Sequence, residues 1–494
     1  MLLSKCIENI DVKQIQGHLE TEISHVAFDS RKIKPGGLFV AISGFSTDGH
    51  LFIKQAIEQG ASAIVVEKDV EVPESVTLIK VDNGRLALAH ISANFYGHPT
   101  EKLNMVGITG TNGKTSISYF IKALLEQMHY KTGVIGTMGT LIDNQKIDTP
   151  NTTPESLTLQ GICADMASAS VDYCIMEVSS HALDLNRVAG CRFKSGIYTN
   201  LTPDHLELHH DMASYFAAKA KLFKMTDRAN IINMDDPYGK KLKEMHLSSA
   251  DSTVAFIGYS LYESSEVMAK DIEYEADHSI YTAVTPKGNI QIRVNIPGEI
   301  YIYNSLAVVA WAYSEGFELQ DIAEGIAALK GVKGRFETVY DAHQRKVVID
   351  FAHTEDGLEK ALSTLRPFVK NRLLLVFGVY AAPGHLGQDK RLAMGKVAAE
   401  KADYSFVTSD NPKEQDPLAI IADVVSAMAH RQGCFTTEVD RKKAIEMALE
   451  SMEEGDILLI SGKGHETAQV IGKVEIPFNE TEIVKQKMTE LFGV

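Results

Sequence analysis

The sequence predicts an α/β protein of three domains built on largely parallel sheets. A chain of 494 residues exceeds what one hydrophobic core organises, and typical domain sizes divide it into about three. Short β-branched runs alternate with amphipathic segments along its length, the rhythm of stacked strand-helix units. A glycine-rich stretch, residues 107–116 (GITGTNGKTS), sits between the apolar run 103–106 and a helix-like segment at 116–125.

Each block follows the same rhythm. In the first, 26–29, 38–42, 63–66 and 77–81 read as strands, with a helix near 52–59, and Tyr-Gly-His-Pro-Thr at 96–100 reads as a linker. In the second, strands fall at 173–178, 196–199, 230–233 and 254–257, with helices at 304–313 and 319–329. A glycine-punctuated basic turn at 331–335 closes it. The third block places strands at 347–351, 373–377, 404–408 and 457–460, with helices near 355–365, 391–401, 417–429 and 441–451. The domains are therefore expected at 1–98, 99–332 and 333–494.

Composition narrows the function classes. With 45% hydrophobic, 7% aromatic and 23% charged residues, this is an ordinary globular composition. The formal net charge of −16 argues against a nucleic-acid or anionic-membrane partner, which would need a basic face. No apolar run approaches the roughly 20 residues that span a bilayer, and the N-terminus leads into a polar segment, so a cytoplasmic location is expected. Cys6, Cys163, Cys174, Cys191 and Cys434 show no paired spacing for zinc or a redox dithiol.

A strand that runs through a glycine turn into a helix aims backbone N–H groups at one anion. In 107–116 the standard phosphate loop would have glycine six residues before Lys114, but that position is Ile108, with glycines at 107 and 110 instead. Lys114 is placed to meet terminal phosphates and Thr115 to hold magnesium through its hydroxyl. ATP is the expected nucleotide. Polar residues also gather where strands end: Glu177 and Ser179-Ser180-His181 follow one, and Asn200 to Asp204-His205 another. A carboxylate and an imidazole beside a phosphate loop suit a metal that bridges phosphate oxygens.

These motifs, with Asn151-Thr-Thr-Pro-Glu-Ser156, Tyr215 to Phe223, Gly334-Arg335, Asp350-Phe-Ala-His353, Asp410-Asn-Pro-Lys413 and Gly462-Lys-Gly-His-Glu466, occur in the order seen in the Mur ligases. The resemblance covers essentially the whole chain. It is strongest to members that add a diamino acid to UDP-N-acetylmuramoyl-L-alanyl-D-glutamate in peptidoglycan precursor synthesis. It implies a smaller N-terminal UDP-binding α/β domain, a central P-loop-type ATPase domain and a C-terminal Rossmann-like domain that binds the amino acid. The implied chemistry is ATP-dependent amide formation through an acyl phosphate, by a monomer.

The resemblance also implies roles. Lys114, Glu177, His205 and Lys219 match the catalytic positions. Gly110, Thr111, Asn112, Gly113, Lys114, Thr115, Ser116, Asn304, Arg335, Asp350 and His353 match ATP-binding ones. Magnesium would be held by Thr115, Glu177, His205 and Lys219, the last carbamylated into an anionic oxygen ligand; Lys221, two positions on, is the neighbouring candidate. Ser30, Thr152, Thr153, Ser179 and Arg187 match positions that hold the UDP-sugar and its peptide arm. Asp410, Asn411, Lys413, Gly464 and Glu466 fall where relatives grip the diamino acid.

The chain departs from the family at the amino-acid end. Relatives carry Gly-Cys-Gly-Gly-Asp-Arg-Asp where residues 378–391 read GVYAAPGHLGQDKR, a segment read here as a loop that lacks the carboxylate-binding arginine. Lys413 stands where diaminopimelate-adding relatives have arginine, which removes a bidentate fork. Phe351 replaces a usual tyrosine, and Tyr301 stands where asparagine is common. The expected substrate is meso-diaminopimelate or L-lysine. A diverged paralogue that joins another amine to a nucleotide-sugar carboxylate, and a nucleotide-sugar-binding protein without ligase activity, are the alternatives.

Overall fold

The computed structural model describes residues 1–44, 47–248, 253–381, 384–431 and 433–493. Two of the segment 378–391, residues 382 and 383, lie outside the described residues, as does residue 494. The chain divides into two compact units: Met1–Gly110, Leu124–Asn200 and Ala213–Tyr259 form one, and Thr111–Ala123, Leu201–Met212 and Ser260–Val494 the other.

The first unit holds two sheets. One has the order Val12–Gln16, Thr77–Val81, Ala61–Val66, Gly37–Val40, His25–Ala27. Its first pair is antiparallel and the rest are parallel. In the other, Ala255–Ser260, Thr226–Asn233, Phe193–Tyr198, Asn104–Thr109, Tyr173–Glu177 and Thr132–Gly136 run parallel. The short strands Gly139–Ile142 and Gln145–Ile147 extend it antiparallel. Every residue of Tyr173–Glu177 and Thr132–Gly136 is buried, the unbroken apolar reading that parallel strands show when both faces are covered.

In the second unit, Glu337–Ala342 pairs antiparallel with Arg345–Asp350. Ile457–Ser461, Leu373–Phe377, Tyr404–Thr408 and Phe435–Glu438 continue that sheet in parallel. Val267–Tyr274, Ser279–Thr285 and Gly288–Val294 form an antiparallel meander, a departure from the expected parallel rhythm. Its central strand alternates buried and half-buried positions, the period-2 pattern of a sheet with one wet face. Helix starts follow capping chemistry: Thr354 accepts from Gly357 N at 3.1 Å, and Asp416 caps a helix with Pro417 in its first turn.

The expected loop at 378–391 is corrected in its second half. A helix, Gly384–Lys401, begins there, because Gly387, Arg391 and Met394 are buried and Arg391 Nε and Gln388 Nε2 both reach Asp423 on the helix Pro417–Met428, at 2.8 and 3.1 Å. Among the described residues, no helix is long and apolar enough to cross a membrane.

Candidate functional site

In the first unit, the strand Asn104–Thr109 ends at Gly110, whose φ is +149°; a Cβ there would lie 1.8 Å from Thr199 Oγ1. The turn therefore needs glycine at 110. Position 108 is still strand, so Ile108 is a fully buried core residue paired in register with Glu177, and the unusual glycine spacing is explained. Lys219 is 2% exposed. Its ammonium donates to Gly110 O at 2.7 Å and lies 4.6 Å from the Tyr215 ring centre. Lys221, by contrast, turns outward to Asp184 at 3.2 Å.

Glu177 is buried at the end of its strand. Its carboxylate accepts from Thr137 N at 3.1 Å and from the Thr137 hydroxyl at 3.0 Å. The Thr137 and Thr152 hydroxyls are 3.1 Å apart. Thr153 Oγ1 donates to Glu177 O at 2.8 Å and receives Ser179 N at 3.1 Å, and Arg187 donates to Thr153 O at 3.0 Å. The structure thus brings Thr152, Thr153, Ser179 and Arg187 together around Glu177. It adds Thr137 and Arg85, absent from the sequence reading, and gives Glu155 of the motif 151–156 a role, since Glu155 pairs with Arg187 at 2.9 Å and with Arg85 at 3.4 Å. Among the described residues, Arg187 Nε is buried with no hydrogen-bond partner, a donor available to a ligand oxygen.

A cavity of about 640 Å³ opens beside this cluster, lined by Phe28, Ser30, Phe39, Ile42, Arg85 and Glu155 among others. The Ser30 hydroxyl donates to Gln55 Oε1 at 2.8 Å. Apolar walls with a few convergent polar groups are the usual make-up of a small-molecule site.

In the second unit, Thr111 exchanges hydrogen bonds with Thr202, donating to its carbonyl at 3.2 Å and accepting its N–H at 3.0 Å. The Lys114 ammonium curls onto Thr111 O at 2.9 Å. Gly113 has φ +92°, and a Cβ would sit 2.4 Å from Asn304 Oδ1, so Asn304 packs directly on the turn. Asn112 Nδ2 reaches Asp356 at 3.0 Å. The Arg335 guanidinium donates to Thr115 Oγ1 at 3.1 Å and stacks 4.4 Å over Phe351. The buried Tyr301 hydroxyl lies close to Ser116, which puts that departure from the family pattern beside the turn. Among the described residues, Arg335 Nε and Asn304 Nδ2 are buried without hydrogen-bond partners. Asp350 accepts from Phe336 N at 2.7 Å and Ala352 N at 2.8 Å, and burial raises its carboxyl above the ordinary value.

Near them, Asp204 is bound on both oxygens, by Lys390 Nζ at 3.2 Å and by His205 Nε2 at 3.4 Å. Burial pushes its carboxyl up, but Lys390 and the neighbouring histidines hold it well below the usual carboxylate range. Lys390 also donates to Tyr380 OH at 2.8 Å. His353 donates from Nδ1 to Phe351 O at 2.8 Å, and burial, with Lys390 nearby, brings its ring from 6.5 down to about 4. The unfolded chain therefore takes up this proton first as pH falls, so stability is lost on acidification through that window. In urea unfolding across it, wild type should lose more stability than His353→Asn; equal losses would remove His353 as the cause.

The remaining expected residues form a third group. Asp410 is buried, and Asn411 Nδ2 reaches Glu466 Oε2 at 3.1 Å. Gly464 packs against Gly334, with a Cβ there 2.7 Å from Gly334 O. The Lys413 side chain is exposed, and its backbone bridges to the strand Ala468–Ile471. Lys463, absent from the sequence reading although it lies inside the motif 462–466, is fully buried among them.

The donors suit the expected nucleotide and metal: backbone N–H groups, Lys114, and orphaned Arg335 and Asn304 donors suit phosphate or base oxygens, and the Thr115, Glu177 and His205 side chains are types that ligate magnesium. Among the described residues, no three His, Cys, Asp or Glu side chains cluster as a metal site.

Comparison with known proteins identifies the family. Family models match at residues 22–96 (Mur ligase family, catalytic domain), 108–312 (Mur ligase middle domain) and 334–464 (Mur ligase, glutamate ligase domain). The chain is 41% identical over 490 residues to the UDP-N-acetylmuramoyl-L-alanyl-D-glutamate–2,6-diaminopimelate ligase of Clostridium perfringens, covering 98% of this chain and 99% of that one. It is 41% identical to the protein of the same name from Clostridioides difficile, covering 99% and 100%. A solved structure of a ligase of that name superposes with a TM-score of 0.71 at 28% identity, covering 99% of both chains. The folylpolyglutamate synthase of Mycobacterium tuberculosis complexed with ADP shares the fold, with a TM-score of 0.63 at 20% identity over 76% of this chain and 91% of that one. The chain belongs to the Mur ligase family.

Proposed function

We propose that the chain, acting as a cytoplasmic monomer, is an ATP-dependent ligase. It joins a diamino acid, 2,6-diaminopimelate, to UDP-N-acetylmuramoyl-L-alanyl-D-glutamate in peptidoglycan precursor synthesis. The observation that carries this reading is end-to-end similarity to relatives named for that reaction, over a chain whose phosphate turn, strand-end carboxylate and third-domain charge cluster all have local structural support.

The cavity around Ser30, together with the neighbouring cluster of Thr152, Thr153, Ser179 and Arg187, is read as the seat of the nucleotide sugar and its peptide arm. The turn from Gly110 to Ser116, with Asn304, Arg335, Asp350 and His353, is read as the ATP site, with Thr115, Glu177, His205 and a carbamylated Lys219 for magnesium. Bound magnesium would offset charge on the phosphoryl oxygens. The substrate carboxylate attacks the γ-phosphorus and ADP leaves. The incoming amine then attacks the acyl phosphate carbonyl, loses a proton and expels phosphate. Lys114 and Arg335 carry the positive charge that the transferred phosphoryl group requires. Asp410, Asn411, Lys413, Gly464 and Glu466 receive the amino acid.

Phosphate release from ATP with the UDP-muramoyl dipeptide and a panel of amines tests this. Turnover with diaminopimelate is expected. Turnover only with another amine would identify a diverged ligase, and nucleotide-sugar binding without phosphate release would identify a binding protein.

A further inference from the structure

We propose that Lys463 is a positioning residue for the incoming amino acid, an inference that rests on reading the cluster around Asp410 and Glu466 as the amino-acid subsite. Lys463 follows the buried strand Ile457–Ser461 and is itself 0% exposed. A buried ammonium is costly unless its protons find acceptors. Here they do: Nζ donates to Asn411 Oδ1 at 3.0 Å and to Glu466 Oε2 at 2.6 Å. Asn411 closes the triangle, donating from Nδ2 to that same Oε2 at 3.1 Å, while its Oδ1 also accepts Val470 N at 2.9 Å. The Asn411 amide is therefore fixed at both ends.

Both donors land on one oxygen of Glu466. Oε1 has no hydrogen-bond partner among the described residues, and the side chain is 34% exposed. Lys463 thus consumes the inner oxygen and leaves the outer one, in a fixed orientation, as the acceptor for a ligand cation. The surrounding charges are consistent with this orientation. Asp410 and Glu480 are buried beside Arg441 and Lys463, and Glu466 lies at the partly exposed edge of the same cluster. A ligand ammonium is the group that the outer Glu466 oxygen can accept, which favours amino acids with a second amine over those with an apolar side chain.

The test is phosphate-release kinetics of Lys463→Met, with diaminopimelate, ATP and the dipeptide nucleotide each varied in turn. The KM for diaminopimelate should rise about tenfold or more, the usual cost of losing a charged hydrogen bond, while the KM for ATP stays at the wild-type value. Glu466→Gln should then cost less in the Lys463→Met background than in wild type, since one carboxylate orientation is already lost. An unchanged diaminopimelate KM, or equal rises in all three KM values, would overturn the inference. If Lys463→Met does not fold, Lys463→Arg keeps the charge but displaces Glu466, and the same single KM must rise. Wild type that releases no phosphate with diaminopimelate strikes the functional reading; wild type that turns over while the variant keeps its KM strikes only Lys463.

Discussion

Lys219→Ala is expected to lower kcat by about three orders of magnitude, the scale seen when one preorganised electrostatic group is removed from a phosphoryl or acyl transfer site, with the fold retained. Lys219 is 2% exposed, and its Nζ rests on the carbonyl of Gly110, the residue that opens the phosphate turn. An ammonium at this place would compete with magnesium for position. Reaction of the amine with carbon dioxide, with loss of a proton, converts it to a carbamate whose oxygens are the hard donors magnesium prefers. The change inverts the local charge, so its loss is not mimicked by any protonated side chain. Lys219→Arg should therefore be as inactive as the alanine variant. Protein equilibrated with carbon-13 bicarbonate should show a carbamate carbon resonance in wild type that both variants lack. Wild-type rates in Lys219→Arg, or no such resonance in wild type, would reject the carbamate.

The parts of this site that were legible in the sequence are those where chemistry and local structure coincide. The turn 107–116 was readable because strand, glycines and helix are contiguous, and its odd spacing follows from Ile108 lying within the buried strand Asn104–Thr109 and not in the loop. The third-domain strand at 373–377 was readable because all five residues are apolar and all five are buried. The exposed edge strand Val12–Gln16 was not, since only Val12 is even half-buried and no alternation marks it. The helix Gly84–Phe95 was missed although Asn83 caps it on Leu86 N at 2.9 Å, a signal present in the sequence.

Residues that act through distant partners were the least legible. Arg85 and Glu155 meet across 70 positions, and Lys390 reaches Asp204 across 186. Nothing local to Lys390 distinguishes it from a solvated helix lysine. Tyr301 and Phe351 were visible only as departures from a pattern; the structure turns them into contacts, one with Ser116 and the other beneath the Arg335 guanidinium. The same holds for Lys463, which lies in a recognised motif but whose burial, and so its pairing, is a property of the folded sheet ends.

Arg441→Met is expected to destabilise the protein by about 3–5 kcal/mol at neutral pH, the range for removing one partner of a buried ion pair. Arg441 and Glu480 are both 0% exposed in their side chains, with Nη2 2.7 Å and Nε 2.8 Å from Glu480 Oε1. Arg441 also donates to Ser461 O at 2.8 Å, so it ties the end of a central strand to the C-terminal helix Glu480–Phe492. Burial pushes the Glu480 carboxyl above its ordinary 4.5, and Arg441 pulls it back down. Without the arginine the carboxylate must hold a proton to stay inside. In the variant the folded state then binds more protons than the unfolded state above pH 4.5, so its stability falls as pH rises through that range. Urea unfolding should show a smaller deficit in mild acid than at neutral pH. Arg441→Met combined with Glu480→Leu should recover part of the loss, because no charge is then left unpaired. A deficit independent of pH, or a double variant no better than the single one, would mean that packing and the bond to Ser461, and not the stranded carboxylate, set the cost.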